Sequence, residues 1–248
     1  MSFLFNEILY KPLLNLLILI YDLVVSDFGV SIILITVLIR FVLLPIFYKS
    51  AKDQTILQKI APQIREIQKK HKENKEEQVR QMMAVYKEHR VNPFSSILLL
   101  IIQLPILFAL YRVFVGGLPE AGSDKLYSFV HLPEVIHYTF LGFIDLSSPF
   151  LALVIITALA QFTQSWLLLR VAKKRAPNPA AAGDNPAIQA AERMSHKMIY
   201  FMPVVTAIIL FNLPAAVALY WFTTSVFSAI QQLAINKKIR EKEIISNA

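Results

Sequence analysis

Arg40 lies inside an otherwise apolar stretch, Gly29–Tyr48, whose length and composition predict a membrane-spanning helix. At about 1.5 Å per residue, it lies roughly 16 Å from one end of the stretch and roughly 12 Å from the other. An arginine at that depth costs on the order of 3 kcal/mol even on lenient insertion scales. None of the predicted spans contains an Asp or Glu that could neutralise it. The sequence therefore predicts that Arg40 is retained because it interacts with a group that another molecule brings to it.

Polar side chains also recur at helical spacing in other apolar stretches. Thr157, Gln161 and Gln164, for example, share one face of a helix. For any single residue of this kind, a hydrogen bond between membrane helices is the simpler explanation. Because several predicted helices carry such residues, we predict that together they line a hydrated, positively charged cavity. The predicted cavity residues are Arg40, Thr36, Gln103, Gln161, Gln164, Tyr220, Trp221 and Thr224.

Arg40 has a second interpretation. Its guanidinium could bond backbone carbonyls that Pro45 leaves without a partner, or extend along its helix towards the cytoplasmic face. In that case the residue is tolerated rather than used. Water in the predicted cavity would explain equally well how the side chain stays ionised.

Composition limits the possible classes of function. The chain is 56% hydrophobic and 17% charged, with a mean hydropathy of +0.52, which exceeds that of ordinary soluble domains. It has no cysteine, so disulfides, thiolate metal sites and cysteine nucleophiles are excluded. No HExxH, GxxxxGK[ST] or GxGxxG motif occurs, and the histidines are scattered. We therefore expect no enzyme activity and no cofactor or metal site. We expect instead a protein that binds another molecule and moves it.

Five membrane spans are predicted from the distribution of apolar residues. The first three are long enough for a bilayer of about 30 Å. The fourth is short, and only the turn at Asn212, Leu213 and Pro214 separates it from the fifth. Because a central proline would interrupt one very long helix, we predict a tight hairpin there. The predicted spans are residues 29–48, 94–115, 149–171, 198–212 and 213–235.

The distribution of charge predicts the orientation of these spans. Eleven Lys or Arg residues lie in segment 49–93, five in the loop 172–197 and four in the tail 236–248. The N-terminal segment 1–28 and the loop 116–148 contain one each. Under the positive-inside rule, the N-terminus lies outside and the C-terminus lies in the cytoplasm.

Segment 1–28 contains the apolar run Leu13–Val25, which Asn15 and Asp22 interrupt. The run is too short to span a bilayer comfortably, and the flanking features of a signal peptide are not evident. We predict an interfacial helix on the outer face. A sixth, short span is the alternative.

Segment 49–93 is the one sizeable hydrophilic piece, and it is predicted to form a cytoplasmic helical hairpin. Pro62 suits the first turn of a helix, so a break is expected near Ala61. A coiled-coil spacer is the plainer alternative, and the excess of basic residues would also suit phosphate head groups or RNA. Two apolar stripes at helical spacing predict the packing: Ile56, Ile60, Ile64 and Ile67, and Val79, Met82 or Met83, and Tyr86.

Four stretches carry a resemblance to a known family. They are GVSIILITVLIRFVLLPIFYKSAKDQ, LQKIAPQIREIQ, MMAVYKEHRVNPFSSILLLIIQLPILFALYRV and FMPVVTAIILFNLPAAVALYWFTTSVFSAIQQ. With them the chain resembles the YidC family of membrane-protein insertases, the bacterial relatives of the mitochondrial Oxa and chloroplast Alb proteins. The resemblance covers residues from about 12 to 236, which is nearly the whole chain.

The resemblance implies an all-α, polytopic fold, with five transmembrane helices around a hydrophilic groove. It also implies an amphipathic outer-face helix that matches Lys11–Val25 and a mobile cytoplasmic hairpin that matches residues 52–91. The family's groove arginine maps onto Arg40 and its neighbouring polar position onto Thr36. One departure is Ala216, which stands where the family has a glycine. The aromatic pair of the last span maps onto Tyr220 and Trp221.

The implied function is that of an insertase and chaperone in the bacterial cytoplasmic membrane. It would move hydrophobic segments of nascent proteins from the cytoplasm into the lipid bilayer without ATP hydrolysis. The implied partners are nascent membrane proteins, lipid, the Sec translocon, and the ribosome or signal recognition components through the hairpin and the basic tail. No sequence-specific nucleic acid partner is expected. The alternatives are a small anion transporter with Arg40 as its binding site, for which no internal repeat is visible, and a structural membrane scaffold.

Overall fold

The computed structural model describes residues 3–115, 125–175 and 200–246. Most of the predicted loop 172–197, and residues 116–124 of the predicted outer loop, lie outside the described residues. Over the described ranges the chain is mostly helical, which confirms the predicted class. The α-helices are α1 (Phe3–Phe5), α2 (Lys11–Ile20), α3 (Phe28–Val42), α4 (Leu44–Lys70), α5 (Lys75–Glu88), α6 (Ser95–Val115), α7 (Leu151–Arg175), α8 (Tyr200–Leu210) and α9 (Ala215–Ser246).

The N-terminal segment is one helical run in which two π-helical turns interrupt the α-helix. These turns cover Asn6–Tyr10 and Tyr21–Val25. Leu14, Leu17 and Ile18 of α2 are fully buried, so the apolar run packs against the protein interior. The helical run ends at a left-handed residue, Ser26, with φ at 49°.

The first predicted span consists of two helices rather than one. Helix α3 ends at Val42 and α4 begins at Leu44, so Gly29–Tyr48 is interrupted. Pro45 explains the interruption, because it has no N–H to donate and it fits the first turn of a new helix. The predicted break near Ala61 is wrong, since α4 continues through Pro62 to Lys70.

Helices α4 and α5 pack as a hairpin around a small apolar cluster. Ile60, Ile64, Val85 and Val91 are buried in this cluster. The predicted stripe on α4 therefore does face its partner helix. The predicted stripe on α5 is wrong at Val79, which is 53% exposed, because Met82 and Val85 occupy the inward face instead. Asn74 caps α5 by accepting a hydrogen bond of 3.0 Å from the backbone N–H of Glu77.

A buried hydrogen bond joins the start of α6 to α4. The Ser95 hydroxyl donates to the Asp53 carboxylate at 2.5 Å, and both side chains are buried. Ser95 is the first residue of α6, where a negative charge is favoured by the unpaired backbone N–H groups. This hydrogen bond therefore holds the base of the α4–α5 hairpin against the start of α6.

Ser95→Ala should destabilise the protein by about 1–3 kcal/mol, because it leaves a buried carboxylate without its hydroxyl partner. Asp53→Ala should cost less when Ser95 is already alanine than when it is serine, since the two residues act as a pair. A double-mutant cycle of unfolding in detergent measures this coupling. The exposed Glu66 provides the matched control, and Glu66→Ala should be additive with Ser95→Ala. Additivity of the Asp53 and Ser95 substitutions would contradict the pairing.

The described part of the predicted outer loop folds onto the helices. Two antiparallel strands, β1 (Thr139–Phe140) and β2 (Ile144–Asp145), form a short hairpin that the sequence did not predict. The following turn is fixed by Asp145, which accepts hydrogen bonds from the Ser147 hydroxyl and backbone N–H. These bonds hold the pKa of the Asp145 carboxyl below its usual range.

The first turn of α9 receives the end of this loop. The backbone N–H groups of Ala215 and Ala216 donate to the carbonyl oxygens of Ser148 and Leu146, at 2.9 and 3.0 Å. Two of the donors that a helix N-terminus leaves unsatisfied are thereby paired. Ala216 is buried at this contact.

The chain divides into two compact units. The first contains Met1–Leu44, Leu100–Gln164 and Phe201–Ala229, and the second contains Pro45–Leu99, Ser165–Tyr200 and Ile230–Ala248. In the described part of the chain, no single helix is both long and apolar enough to cross a membrane, although one bent pair, Phe28–Val42 with Leu44–Leu57, meets the criterion jointly. The five-span arrangement therefore stays a prediction.

Candidate functional site

Arg40 lies in the last turn of α3, on the face that points into the first unit. Its side chain is only 4% exposed, although the neighbouring Phe41 and Val42 are open to the surroundings. Thr36, one turn earlier, is also buried, and its hydroxyl donates to the Ile32 carbonyl at 2.6 Å. The Thr36 hydroxyl proton is thus used within its own helix.

Tyr220 connects the polar residues of three helices. It is buried in α9, and its hydroxyl accepts a hydrogen bond from the side-chain amide of Gln103 on α6. Arg40 on α3 interacts electrostatically with the same phenol. Thr224 lies one turn after Tyr220, where an i, i+4 spacing brings the two side chains together. Arg40, Gln103, Tyr220 and Thr224 are hereafter the polar cluster.

Helix α7 contacts α9 beside this cluster. The buried Thr157 hydroxyl makes hydrogen bonds of 2.7 Å with the Leu153 carbonyl and 3.2 Å with the Ala218 carbonyl. Gln161 follows one turn later, and its buried Oε1 atom has no hydrogen-bond partner within the described residues. A buried carbonyl oxygen in that position is an acceptor for water or for a ligand N–H group.

The predicted site residues therefore separate into two groups. Arg40, Gln103, Tyr220 and Thr224 share contacts, whereas Thr36 bonds to its own helix. The others stand apart from these contacts: Gln161 and Gln164 are half-buried on α7, and Trp221 packs against the apolar core. That all eight serve one substrate site stays a prediction.

Sequence reasoning missed further buried polar side chains in the first unit. Thr206 on α8 and Ser225 on α9 are both buried. Thr206 is the lone threonine in a short apolar stretch, and that isolation was the available signal. In the described ranges, no group of three or more His, Cys, Asp or Glu side chains could hold a metal ion.

The first unit buries the polar cluster beside its apolar core and has an apolar exterior. Large apolar side chains are exposed on several of its helices, whereas the polar cluster is turned inward. Such a surface differs from that of ordinary soluble monomers, which rarely expose large continuous apolar patches. The arrangement can solvate or bind a polar group inside the unit while the outer face contacts an apolar medium. The exposed residues include Leu34, Leu38, Ile101, Phe108, Ile155, Leu159, Ile208 and Val226.

Comparison with known proteins identifies the family. Residues 19–242 match the sequence model of the family described as 60Kd inner membrane protein. The membrane protein insertase YidC of Fusobacterium nucleatum is 31% identical over 238 residues, which are 96% of this chain and 99% of that protein. The chain belongs to the YidC family of membrane protein insertases. The earlier resemblance is confirmed, and YidC proteins are insertases rather than members of a recognised enzyme class.

Other YidC relatives differ in length. The insertase MisCB of Bacillus subtilis is 31% identical over 93% of this chain and 79% of its own length. YidC of Wolinella succinogenes is 30% identical over 94% of this chain but only 38% of its own length. A crystal structure of an active YidC insertase with its first transmembrane domain resolved aligns with a TM-score of 0.57 and 22% identity, covering 93% of this chain and 46% of that one. The YidC fold is therefore shared.

Proposed function

We propose that this protein inserts hydrophobic segments of nascent proteins from the cytoplasm into a lipid bilayer. The buried polar cluster, inside a unit with an apolar exterior, carries the proposal. A chain that crosses a bilayer must move polar backbone and side chains through a medium that cannot hydrogen-bond them. A buried polar cluster beside lipid solvates that segment for part of the way.

Arg40 attracts acidic residues of the crossing segment in this mechanism. The Arg40 guanidinium is a permanent cation with five N–H donors. Its burial lowers the local dielectric and strengthens its attraction for a carboxylate. The Gln103 amide and the Tyr220 hydroxyl orient one another, so the arginine lies beside fixed dipoles rather than bulk water. Gln161 adds an acceptor for backbone N–H groups of the substrate.

Burial of the substrate in lipid supplies the free energy, and ATP is not required. Each apolar side chain that moves from water into lipid contributes roughly 1.5–3 kcal/mol. Arg40 lowers the barrier for the polar segment, and the apolar segment then leaves sideways into the bilayer. The exposed apolar faces of the first unit provide the route for that exit.

We infer a location in the bacterial cytoplasmic membrane, with five spans, the N-terminus outside and the C-terminus in the cytoplasm. The charge asymmetry of the segments between the spans supports this orientation. The helical hairpin formed by α4 and α5 then lies on the cytoplasmic side. There, with the basic tail, it receives nascent chains and contacts a Sec translocon, a ribosome or signal recognition components.

Photo-crosslinking tests the proposed route. A photoreactive side chain at Gln103 or Trp221 should capture a stalled nascent chain, because Gln103 belongs to the polar cluster and Trp221 follows Tyr220 in α9. The control is Ile209, which is 48% exposed and faces lipid in this proposal. Crosslinks to the nascent chain at Ile209 alone would contradict passage beside the cluster.

Reconstitution separates insertion from the anion-transporter alternative. The purified protein, alone in liposomes, should protect the tail of a small single-span substrate from added protease. The same liposomes should not accumulate small anions faster than protein-free liposomes. Anion uptake without tail protection would replace the proposed function with transport.

A further inference from the structure

The hairpin of β1 and β2 ends in a tight turn that exposes two large apolar side chains. Leu141 is 58% exposed and Phe143 is 75% exposed, with Gly142 between them. The turn is closed by the Phe143 backbone N–H, which donates to the Phe140 carbonyl at 3.3 Å. Residues 139–144 include no charged side chain. We name Leu141, Gly142 and Phe143 the hairpin tip.

The base of the hairpin, in contrast, is packed against the first unit. Phe140 lies so close to Gly29 at the start of α3 that a Cβ atom at position 29 would collide with it. Ile144, which pairs with Phe140 across the hairpin, is partly buried against the same apolar core. The hairpin tip therefore projects from a firmly packed base, and its exposure does not come from a loosely attached loop.

The turn itself does not require a leucine. The angle φ is +54° at Leu141 and +79° at Gly142, and turns with positive φ at both central positions are dominated by Gly, Asn and Asp. A leucine in the left-handed region is strained, because its Cβ atom crowds the backbone. Since this side chain is largely exposed, packing within the protein does little to offset the strain. A contact outside the chain accounts for the leucine better than turn formation does.

A hydrogen bond to Asp27 fixes the depth of the hairpin tip. One carboxylate oxygen of Asp27 caps α3 by accepting from the Val30 N–H at 2.8 Å, and the other accepts from the Leu141 N–H at 2.7 Å. Helix α3 begins where the first predicted membrane span begins. Ser148 likewise meets the first turn of α9, close to the start of the fifth predicted span. Both contacts place the hairpin at the level where predicted spans reach the bilayer surface.

The hairpin is also amphipathic along its length. At the end away from the tip, Asp145 is exposed and accepts a hydrogen bond from the Ser147 hydroxyl at 2.6 Å. A carboxylate stays in water, whereas leucine and phenylalanine side chains are stabilised at the boundary between head groups and acyl chains. A bilayer surface offers both environments, because interfacial segments bury their apolar side by only about 5–10 Å. The separation of polar and apolar groups therefore suits lipid.

We infer that the hairpin tip inserts into the outer leaflet of the lipid bilayer as an interfacial anchor. Leu141 and Phe143 lie among the upper acyl chains, and Asp145 stays in water. Because Asp27 joins the tip to α3, the anchor holds the start of that helix at the bilayer surface. The inference rests on the membrane location and orientation given under the proposed function, and it adds a lipid-binding element outside the predicted spans.

Fluorescence quenching in lipid nanodiscs, which leave both faces of the bilayer open to water, tests the inference. The chain has no cysteine, so an introduced cysteine carries the only bimane label. On the full-length protein, the Phe143→Cys label should be quenched by a lipid with a doxyl group at the top of its acyl chain, and it should be protected from iodide. The Ser147→Cys label should show the reverse. Because both variants carry the same dye, its own affinity for lipid does not account for a difference.

A third label separates failure of the anchor from failure of the membrane location. Leu159 is 61% exposed on α7, so the Leu159→Cys label should be quenched by doxyl lipid wherever the first unit contacts a bilayer. Lipid quenching there, with the Phe143→Cys label as open to iodide as the Ser147→Cys label, would overturn the anchor alone. Protection of the Phe143→Cys label from iodide without lipid quenching would assign the tip to a protein contact instead. Absence of lipid quenching at both Phe143→Cys and Leu159→Cys would refute the membrane location itself.

Leu141→Asn tests the second residue of the anchor while keeping the turn. Asparagine tolerates positive φ, so the hairpin should stay folded. In this background the Phe143→Cys label should become more accessible to iodide and less quenched by doxyl lipid, because half of the apolar tip is gone. Identical quenching with leucine and with asparagine at this position would overturn the role of Leu141.

Discussion

Replacing Arg40 with alanine should reduce the insertion of substrates that carry acidic translocated tails by roughly tenfold or more, because a lost attraction of about 1.4 kcal/mol is already a factor of ten. Arg40→Lys should keep much of the activity, since a lysine retains the charge but loses the planar fork of donors. The measurement is the initial rate of tail protection in liposomes. Substrates without acidic residues in the tail should respond much less to either change.

The same Arg40 variants separate function from stability. A buried charge carries a desolvation cost, and an apolar side chain of similar length removes that cost. We therefore expect Arg40→Met to unfold at the same or a higher temperature while insertion falls. Equal insertion by the natural protein and by the lysine, alanine and methionine variants would exclude charge attraction as the role of Arg40.

Gly29→Ala should be strongly destabilising. A Cβ atom at position 29 would lie 2.5 Å from the Cβ and Cγ atoms of Phe140 on strand β1. Overpacking of this kind typically costs about 1–3 kcal/mol and sometimes more. Thermal unfolding in detergent, followed by circular dichroism, should show a lower midpoint.

A second substitution at Phe140 tests the cause of that loss. Phe140→Ala should not restore Gly29→Ala, because the Cβ of residue 140 remains in the way. Phe140→Gly should restore part of the stability relative to the Gly29→Ala single variant. A Gly29→Ala variant as stable as the natural protein would show that the start of α3 can shift away from β1 at no cost.

The helical class and the burial of Arg40 could be predicted from the sequence. Long apolar stretches have few alternatives to helices, and helical periodicity places residues on a common face. The contact between Gln103 and Tyr220 could not be predicted, because the residues are 117 positions apart and no local pattern specifies their contact. The same reason applies to Ser95 and Asp53.

Each error in the predictions has its own cause. Periodicity across Gly29–Tyr48 is continuous, so it concealed the interruption that Pro45 imposes. A break is expected at Pro62, which α4 contains, and the observed break falls beside Pro45 instead. Asn15 looks like an interruption of an apolar run when the sequence alone is read. Two of its three backbone partners, Lys125 and Tyr127, lie more than 100 residues away, so the run does not reveal them. For Asn15, the deciding partners lie outside the short window in which a helical pattern is read.

The contact between the outer loop and α9 has a consequence for sequence drift in this family. Ala215 and Ala216 are joined to Ser148 and Leu146 through backbone atoms alone. Mutation can therefore change the side chains on both sides without breaking the bonds, provided that they stay small and that proline does not remove a donor. If the glycine that the family resemblance implies at this position was replaced by Ala216, that replacement would be such a change. Docking by the backbone therefore lets this corner of the fold tolerate changes of side chain.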